Sequence, residues 1–358
     1  MVLYILVALW PLFMMYQYKR FCISIQNEQA NLKKKNKYLF WAAFPMFFMI
    51  AIRGEHMGAD TSVYLRHFVE VQGMSLQNAI ETSRMEAGYI TFVKYVGTII
   101  KNPYLYQFFY ASIYFLGFQS FARQLKGTDG FYFFYFFCTF GLFMFFFTGV
   151  RQCLAISICL FSYQYLVQKK YWYVIPLIFL AYNFHKSAML FAFPVFIWNR
   201  KLTWKNFAVY IIALYLAASY LLNVQTWMND NFEYDYEIEA VGGGEIYLSI
   251  LTIFTLISYL MVRKKQMSLD EDSYFRALFN INIITIFFWV LRLQTRVAER
   301  PSFYFLGISC ALFAYTINNL TYKRDGQLMK YGLLFVAMVL YVYRLSTNFA
   351  GLVPFQMF

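Results

Sequence analysis

Four short stretches of this 358-residue chain carry side chains able to neutralise an anion or move a proton. Residues 53–64 read Arg-Gly-Glu-His-Met-Gly-Ala-Asp-Thr-Ser-Val-Tyr. They place the cation Arg53, the carboxylates of Glu55 and Asp60, the imidazole of His56 and two glycines within a dozen residues, and glycine permits a tight backbone on which side chains converge on a ligand. The competing reading is a wet loop in which Asp60-Thr61 caps a following helix. Arg151 stands in Gly149-Val150-Arg151-Gln152 with apolar sequence on both sides. A charge in hydrocarbon costs about 3 kcal/mol on insertion scales, so Arg151 either snorkels to the interface or meets an anion. Asn183-Phe184-His185-Lys186-Ser187 interrupts the apolar sequence from 171 to 198. A neutral His185 can accept a proton from a sugar hydroxyl while Lys186 lends charge to a phosphate; a plain polar turn is the alternative. Arg292, Arg296 and Arg300 recur at four-residue steps. If the helix continues they line one face, with Pro301 opening the next span, and guanidinium forks match the oxygens of a bound diphosphate. A salt-bridge network with Glu299 and a nearby acidic segment is the alternative. No HExxH, paired-cysteine or Gly-rich phosphate-loop pattern occurs, so the expected chemistry uses neither metal nor cofactor.

The elements that must hold these residues are membrane helices. The chain is 61% hydrophobic and 23% aromatic, with mean hydropathy +0.47, too apolar for a charge-rich soluble surface. Apolar runs of about 16 to 20 residues recur, each long enough or nearly so to cross roughly 30 Å of hydrocarbon. They predict an all-α polytopic bundle, a single transmembrane domain over 1–358, with twelve spans at 2–18, 38–52, 103–122, 131–149, 150–168, 171–184, 187–198, 206–226, 246–262, 274–291, 301–319 and 329–344. The short pair 171–184 and 187–198 is expected to tilt, break or enter from a thinned face. No basic residue precedes the first run and no small-residue cleavage site follows it, so it reads as an uncleaved span. Cys22, Cys138, Cys153, Cys159 and Cys310 lack metal spacing and read as apolar filler, and the Phe-rich 131–137 stretch faces lipid or packs between helices.

Single crossings put the loops carrying Lys19, Arg20, 33–37, Arg123, Lys126, Lys169, Lys170, Arg200, Lys201, Lys205, 263–265, Lys323 and Arg324 on one side, which the positive-inside bias makes cytoplasmic. With Arg276 and Lys330 at span starts, that side then holds 20 of the 31 basic residues and leaves 11 outside, with both termini outside. The net charge of +13 is thereby accounted for without nucleic acid. External segments are expected at 53–102 and 227–245. The first is polar to about Glu86, and Tyr89–Ile100 follows as a short interfacial helix interrupted by Lys94. The second, with Asp230, Glu233, Asp235, Glu237 and Glu239 before Gly242 to Gly244, reads as an acidic flap. A structural membrane protein has no use for external arginines at span ends. A lipid-linked oligosaccharide flippase would place charges near the midplane and show internal repeats, which are not evident. A membrane O-acyltransferase would also use a His beside an Arg, but from the cytoplasmic face.

In order along the chain, Arg53-Gly-x-x-x-Gly58-x-Asp60-Thr61-x-x-Tyr64, Glu86-x-Gly88-Tyr89, Arg151-Gln152, Phe184-His185-Lys186-Ser187, Arg296 to Arg300 before Tyr304-Phe305, and the closing Pro354-Phe355 resemble the EpsG family of Wzy-like bacterial polysaccharide polymerases. The resemblance implies a GT-C-like bundle with about twelve transmembrane helices and short extracytoplasmic helices, sited in the bacterial inner membrane with its active site facing the periplasm or exterior. It implies an inverting, metal-independent glycosyltransferase for O-antigen or exopolysaccharide. The partners implied are undecaprenyl-diphosphate-linked oligosaccharide donor and acceptor, membrane lipid, a chain-length regulator and a flippase. Carried onto this sequence, Arg151, Arg296 and Arg300 face the diphosphate with Arg53, Lys186 and Arg292 in support. His185 leads as general base, and Asp60 or Glu86 is the rival carboxylate. These guanidinium groups are expected to gather in one pocket.

Overall fold

Helices make up the regular structure of the computed structural model, which describes residues 1–22, 28–201, 203–232, 243–263, 269–320, 324–348 and 351–358. Among these residues no strand forms, and one antiparallel bridge joins Arg53 to Met357. The chain gathers into two compact units, Met1–Met189 with Ile317–Phe358, and Leu190–Thr316.

The first unit opens with α1 (Val2–Cys22) and α2 (Glu28–Ala51). Pro45 inside α2 offers no N–H to the Trp41 carbonyl one turn back, and the indole N–H of Trp10 takes that place at 2.7 Å. Three short helices follow, α3 (Thr61–Gln72), α4 (Leu76–Thr82) and α5 (Ala87–Ile99), the last covering the stretch expected to be a short helix. Lys94 does not break it. Its ammonium donates to the carbonyls of Val71 (3.1 Å), Gln72 (3.0 Å) and Met74 (2.5 Å), closing the C-terminal end of α3 with a cation where the helix dipole favours one. In α6 (Pro103–Gln124), the Asn102 side chain accepts from the N–H groups of Tyr104 and Leu105, and Pro103 fills the first turn where no N–H is needed.

Every residue of α7 (Asp129–Thr139) is buried, packed against α1, α2 and α6, so the phenylalanines at 131–137 lie between helices. Phe137 sits 4.8 Å from Phe118 and 5.8 Å from Phe47, centroid to centroid. The span expected at 131–149 is therefore not one helix. Gly141 takes φ +83°, a region open to glycine, and α8 (Leu142–Phe145) is a single turn. The unit continues with α9 (Val150–Val167) and α10 (Tyr171–Phe184).

A 3-10 segment, Lys186–Ala192, leads into the five-residue α11 (Phe193–Ile197), so the expected 187–198 run breaks. The second unit adds α12 (Trp204–Phe232), α13 (Glu245–Arg263), α14 (Leu269–Arg292) and α15 (Glu299–Asn319). Buried polar side chains bind it internally: Asn282 donates to Thr255 at 2.8 Å, Ser258 and Thr316 share a bond of 2.6 Å, and Asn280 donates to the Ile197 carbonyl at 2.8 Å. Chain 227–232, expected within the acidic flap, is helical; Glu233, Asp235, Glu237, Glu239 and Gly242 lie outside the described residues. The last helix, α16 (Arg324–Ser346), belongs to the first unit and sends Arg344 onto the Phe140 carbonyl at 3.5 Å.

Among the described residues, four helices are long and apolar enough to cross a membrane: α1 and α9, Asp272–Arg292 of α14, and α16. The segments Tyr171–Phe184, Lys186–Ile197 and Glu245–Met261 are apolar but shorter. Cys138, Cys153, Cys159 and Cys310 are buried and unbridged.

Candidate functional site

In the first unit, three remote stretches meet at the start of α9. Arg151 donates through Nη1 to Glu86 Oε2 and through Nε to the Tyr64 hydroxyl at 3.4 Å. The backbone N–H of Lys186 donates to Glu86 Oε1 at 3.1 Å. Both carboxylate oxygens are thus engaged, one by a guanidinium and one by the turn that follows α10. Glu86 is at the N-cap of α5 and makes no cap bond, because its side chain is turned to Arg151. The approach of α5 to α10 needs Gly88: a Cβ there would lie 2.5 Å from Asn183 Cβ and 2.6 Å from its carbonyl oxygen. The side chains are 23% exposed for Arg151 and 7% for Glu86, so little water screens the pair.

His185 forms the C-cap of α10 in extended backbone, half-buried, with Nδ1 2.8 Å from the Ser187 hydroxyl. Lys186 is exposed. Asp60 is half-buried and occupies the N-cap position of α3, as the competing reading had it, but makes no side-chain cap bond. His56 is exposed beside Glu55, at 3.4 Å.

Arg53 stands apart from this cluster. It is fully buried and directs Nε to Thr61 Oγ1 (2.9 Å), Nη1 to the Ile50 carbonyl (2.7 Å) and Nη2 to the Tyr110 hydroxyl (2.9 Å). Gln107 donates to the carbonyls of Ala51 and Arg53 at 2.9 and 2.8 Å. Arg53 and Gln107 therefore satisfy carbonyls at the C-terminal end of α2 and tie them to α3 and α6. The geometry gives Arg53 the work of a strut, where the sequence expected a ligand for diphosphate.

One residue of this region was missed by the sequence reading. His67, one turn along α3 from Tyr64, stacks on Tyr89 with centroids 6.0 Å apart and places Nε2 3.3 Å from the Ser83 hydroxyl. Burial holds its pKa below the usual imidazole value; Glu70 opposes this and Arg151 adds to it. Burial raises the Tyr64 pKa, with Arg151 pulling the other way. Only the placement of α5 beside α3 could have revealed His67.

In the second unit, Arg292 ends α14, is 9% exposed, and donates through Nη1 to the Gly243 carbonyl at 3.2 Å, with Nε 3.5 Å from Glu299 Oε2. The chain then leaves the helix through an extended Thr295, so Arg292, Arg296 and Arg300 do not line one face as expected. Exposed Arg296 opens a 3-10 turn, and exposed Arg300 sits in the first turn of α15 beside Glu299. A carboxylate at the start of α15 and a cation at the end of α14 each suit the local helix dipole. Among the described residues, no group of three His, Cys, Asp or Glu side chains is placed to hold a metal ion.

Helices of this apolarity, with a partly buried guanidinium–carboxylate pair where one begins, define a helical membrane protein. Residues 36–357, nearly the whole chain, match the EpsG family, so the chain belongs to that family of Wzy-like polymerases. Comparison with curated proteins and with solved structures returns no match.

Proposed function

We propose that this protein is the polymerase that joins undecaprenyl-diphosphate-linked oligosaccharide repeat units at the outer leaflet of the bacterial inner membrane. The growing glycan leaves its lipid diphosphate and is taken by a hydroxyl at the non-reducing end of the next lipid-linked unit. The anomeric C–O bond to the diphosphate breaks as the new glycosidic bond forms, and direct displacement inverts that carbon. His185, oriented by Ser187, takes the hydroxyl proton, and Asp60 is the rival carboxylate. Glu86 is reassigned from base to the group that holds Arg151, because both its oxygens are occupied. Arg151, assisted by Lys186, stabilises the departing diphosphate, so guanidinium charge fills the place a metal takes elsewhere.

Membership of the EpsG family supports the class of reaction. The observation that carries the residue assignment is the junction of Arg151, Tyr64, Glu86 and the 185–187 turn, four points of the sequence gathered at the mouth of one apolar helix. A chain-length regulator and a flippase are the expected partners in the envelope. In a deletion strain, Arg151→Ala and His185→Ala are expected to accumulate single lipid-linked repeat units at the outer leaflet and to lose long chains. Accumulation at the inner leaflet would instead indicate a flippase, and full-length glycan lacking acyl groups an acyltransferase. Normal chain length in both variants removes the two residues from the mechanism.

A further inference from the structure

Residues 55–69 of the first unit line a second feature, on the face of α3 turned away from Arg151. Ser62, Leu65, Arg66 and Val69 form one stripe of this helix, while Tyr64, Phe68 and Val71 are buried on the other. Together with Glu55, Pro103 and Tyr104 the stripe encloses an open cleft of about 210 Å³. That is smaller than the roughly 300–1,000 Å³ of a pocket that takes a whole drug-sized ligand, and suits one unit of a longer chain. Its lining includes one aromatic ring, Tyr104, which is stacked on Phe358 at 4.5 Å and so held in place. Its rim holds opposite charges that do not meet. Among the described residues the guanidinium of Arg66 makes no hydrogen bond or ion pair, and the Glu55 carboxylate pairs with its neighbour His56 alone.

That combination selects a ligand class. A lone arginine recruits anions and a lone carboxylate recruits cations. A donor-only fork and an acceptor-only carboxylate lining one cleft with an aromatic ring suit a neutral molecule whose every polar group both donates and accepts. Saccharide hydroxyls do so, and the apolar face of a sugar ring covers aromatic and aliphatic surface.

We propose that the cleft between α3 and the start of α6 is a saccharide subsite for a sugar that is not reacting. The proposal rests on the polymerase reading for its biological use. A helix about 10 Å across separates the cleft from Tyr64 and Arg151, so a sugar held here belongs to a different unit of the glycan from the one at the reacting carbon. Holding the chain at a distance from the chemistry keeps it bound between additions, which sets product length and leaves the first coupling untouched.

The test uses the full-length protein in detergent and in liposomes, with oligosaccharides released by mild acid from the producing bacterium's own polysaccharide as the soluble probe. Arg66→Ala and Glu55→Gln are expected to weaken probe binding about tenfold each, as loss of one charge-assisted hydrogen bond does, with Arg66→Lys recovering part of it. In liposomes supplied with lipid-linked repeat units, the same variants are expected to shorten the product ladder while the rate of the first coupling stays within about twofold of wild type. Binding equal to wild type in both variants overturns the subsite. So does tighter pyrophosphate binding in Glu55→Gln together with no saccharide binding in wild type, which marks an anion site. If wild type couples nothing, yet binds the probe and loses it on substitution, the polymerase reading fails and the subsite stands.

Discussion

Glu86 has no fixed meaning until its partners are known. In the sequence it is a carboxylate able to serve as a base; in the structure Arg151 takes one oxygen and the Lys186 N–H the other. Removing one member of such a pair leaves the other charge poorly solvated, typically at a cost of 3–5 kcal/mol, while replacing both with apolar groups of similar volume is often neutral. Glu86→Ala is accordingly expected to lower unfolding stability by about 3 kcal/mol, and Glu86→Leu with Arg151→Met to restore most of it without restoring polymer. Denaturation in detergent checks this; if the losses from the two sites simply add, the pair carries no coupling. His67 yields a pH dependence. Its pKa is lowered in the folded protein, so the unfolded chain binds more protons and stability is complete above the free-imidazole value of about 6.5, falling as pH drops below it. The groups facing it are Glu70 on its own helix, Tyr89 and Ser83 from the neighbouring segments, and Arg151. His67→Gln is expected to flatten the thermal stability profile between about pH 7.5 and 5.5; a profile as steep as wild type would assign the acid sensitivity to another group.

At the level of elements, apolar runs announced most helices, because hydrophobic length is written in the sequence. The breaks were harder to see. The 131–149 run is apolar throughout, and what ends α7 inside it is Gly141 with Arg344, a residue about 200 positions away, lying against it. The regular spacing of Arg292, Arg296 and Arg300 suggested a continuing helix, yet Thr295 is extended and a 3-10 turn intervenes. Periodicity describes what a helix would present if it persisted and says nothing about whether tertiary contacts let it persist. The motif residues fared better, since Glu86, Gly88, Arg151 and 185–187 do meet. Their meeting depends on a close approach of α5 to α10 that only a missing side chain allows. Gly88→Ala would set a methyl group 2.5 Å from Asn183 Cβ, so α5 must move away and carry Glu86 from the Lys186 N–H. The expected result is a destabilisation of about 1–3 kcal/mol, the usual cost of overpacking, with at least a tenfold loss of coupling rate in assays of purified protein. Coupling at the wild-type rate would mean that this contact does not position the site.

For the whole molecule the governing quantity is the distribution of charge about the membrane. The positive-inside bias turns on which helices cross, and helical periodicity does not distinguish a helix that crosses from one enclosed by protein, as α7 is. Four helices meet the demands of length and apolarity among the described residues; tyrosines, glutamines and flanking lysines lower the hydropathy of others such as α2 and α6. The orientation proposed above makes a direct demand on accessibility. Glu55 and Lys186 belong to the site face, and Lys170 and Arg200 to the opposite loops, and all four side chains are exposed. With Cys22 replaced by Ser and the four buried cysteines shielded, single substitutions Glu55→Cys, Lys186→Cys, Lys170→Cys and Arg200→Cys report the side of each loop. A membrane-impermeant maleimide applied to intact spheroplasts is expected to label positions 55 and 186, and to reach 170 and 200 only after permeabilisation. Labelling in the reverse pattern would put the Arg151 cluster on the cytoplasmic side, where the outer-leaflet substrate is out of reach. Labelling of 55 without 186 would add or remove one crossing between them and so separate Glu86 from the turn that binds it.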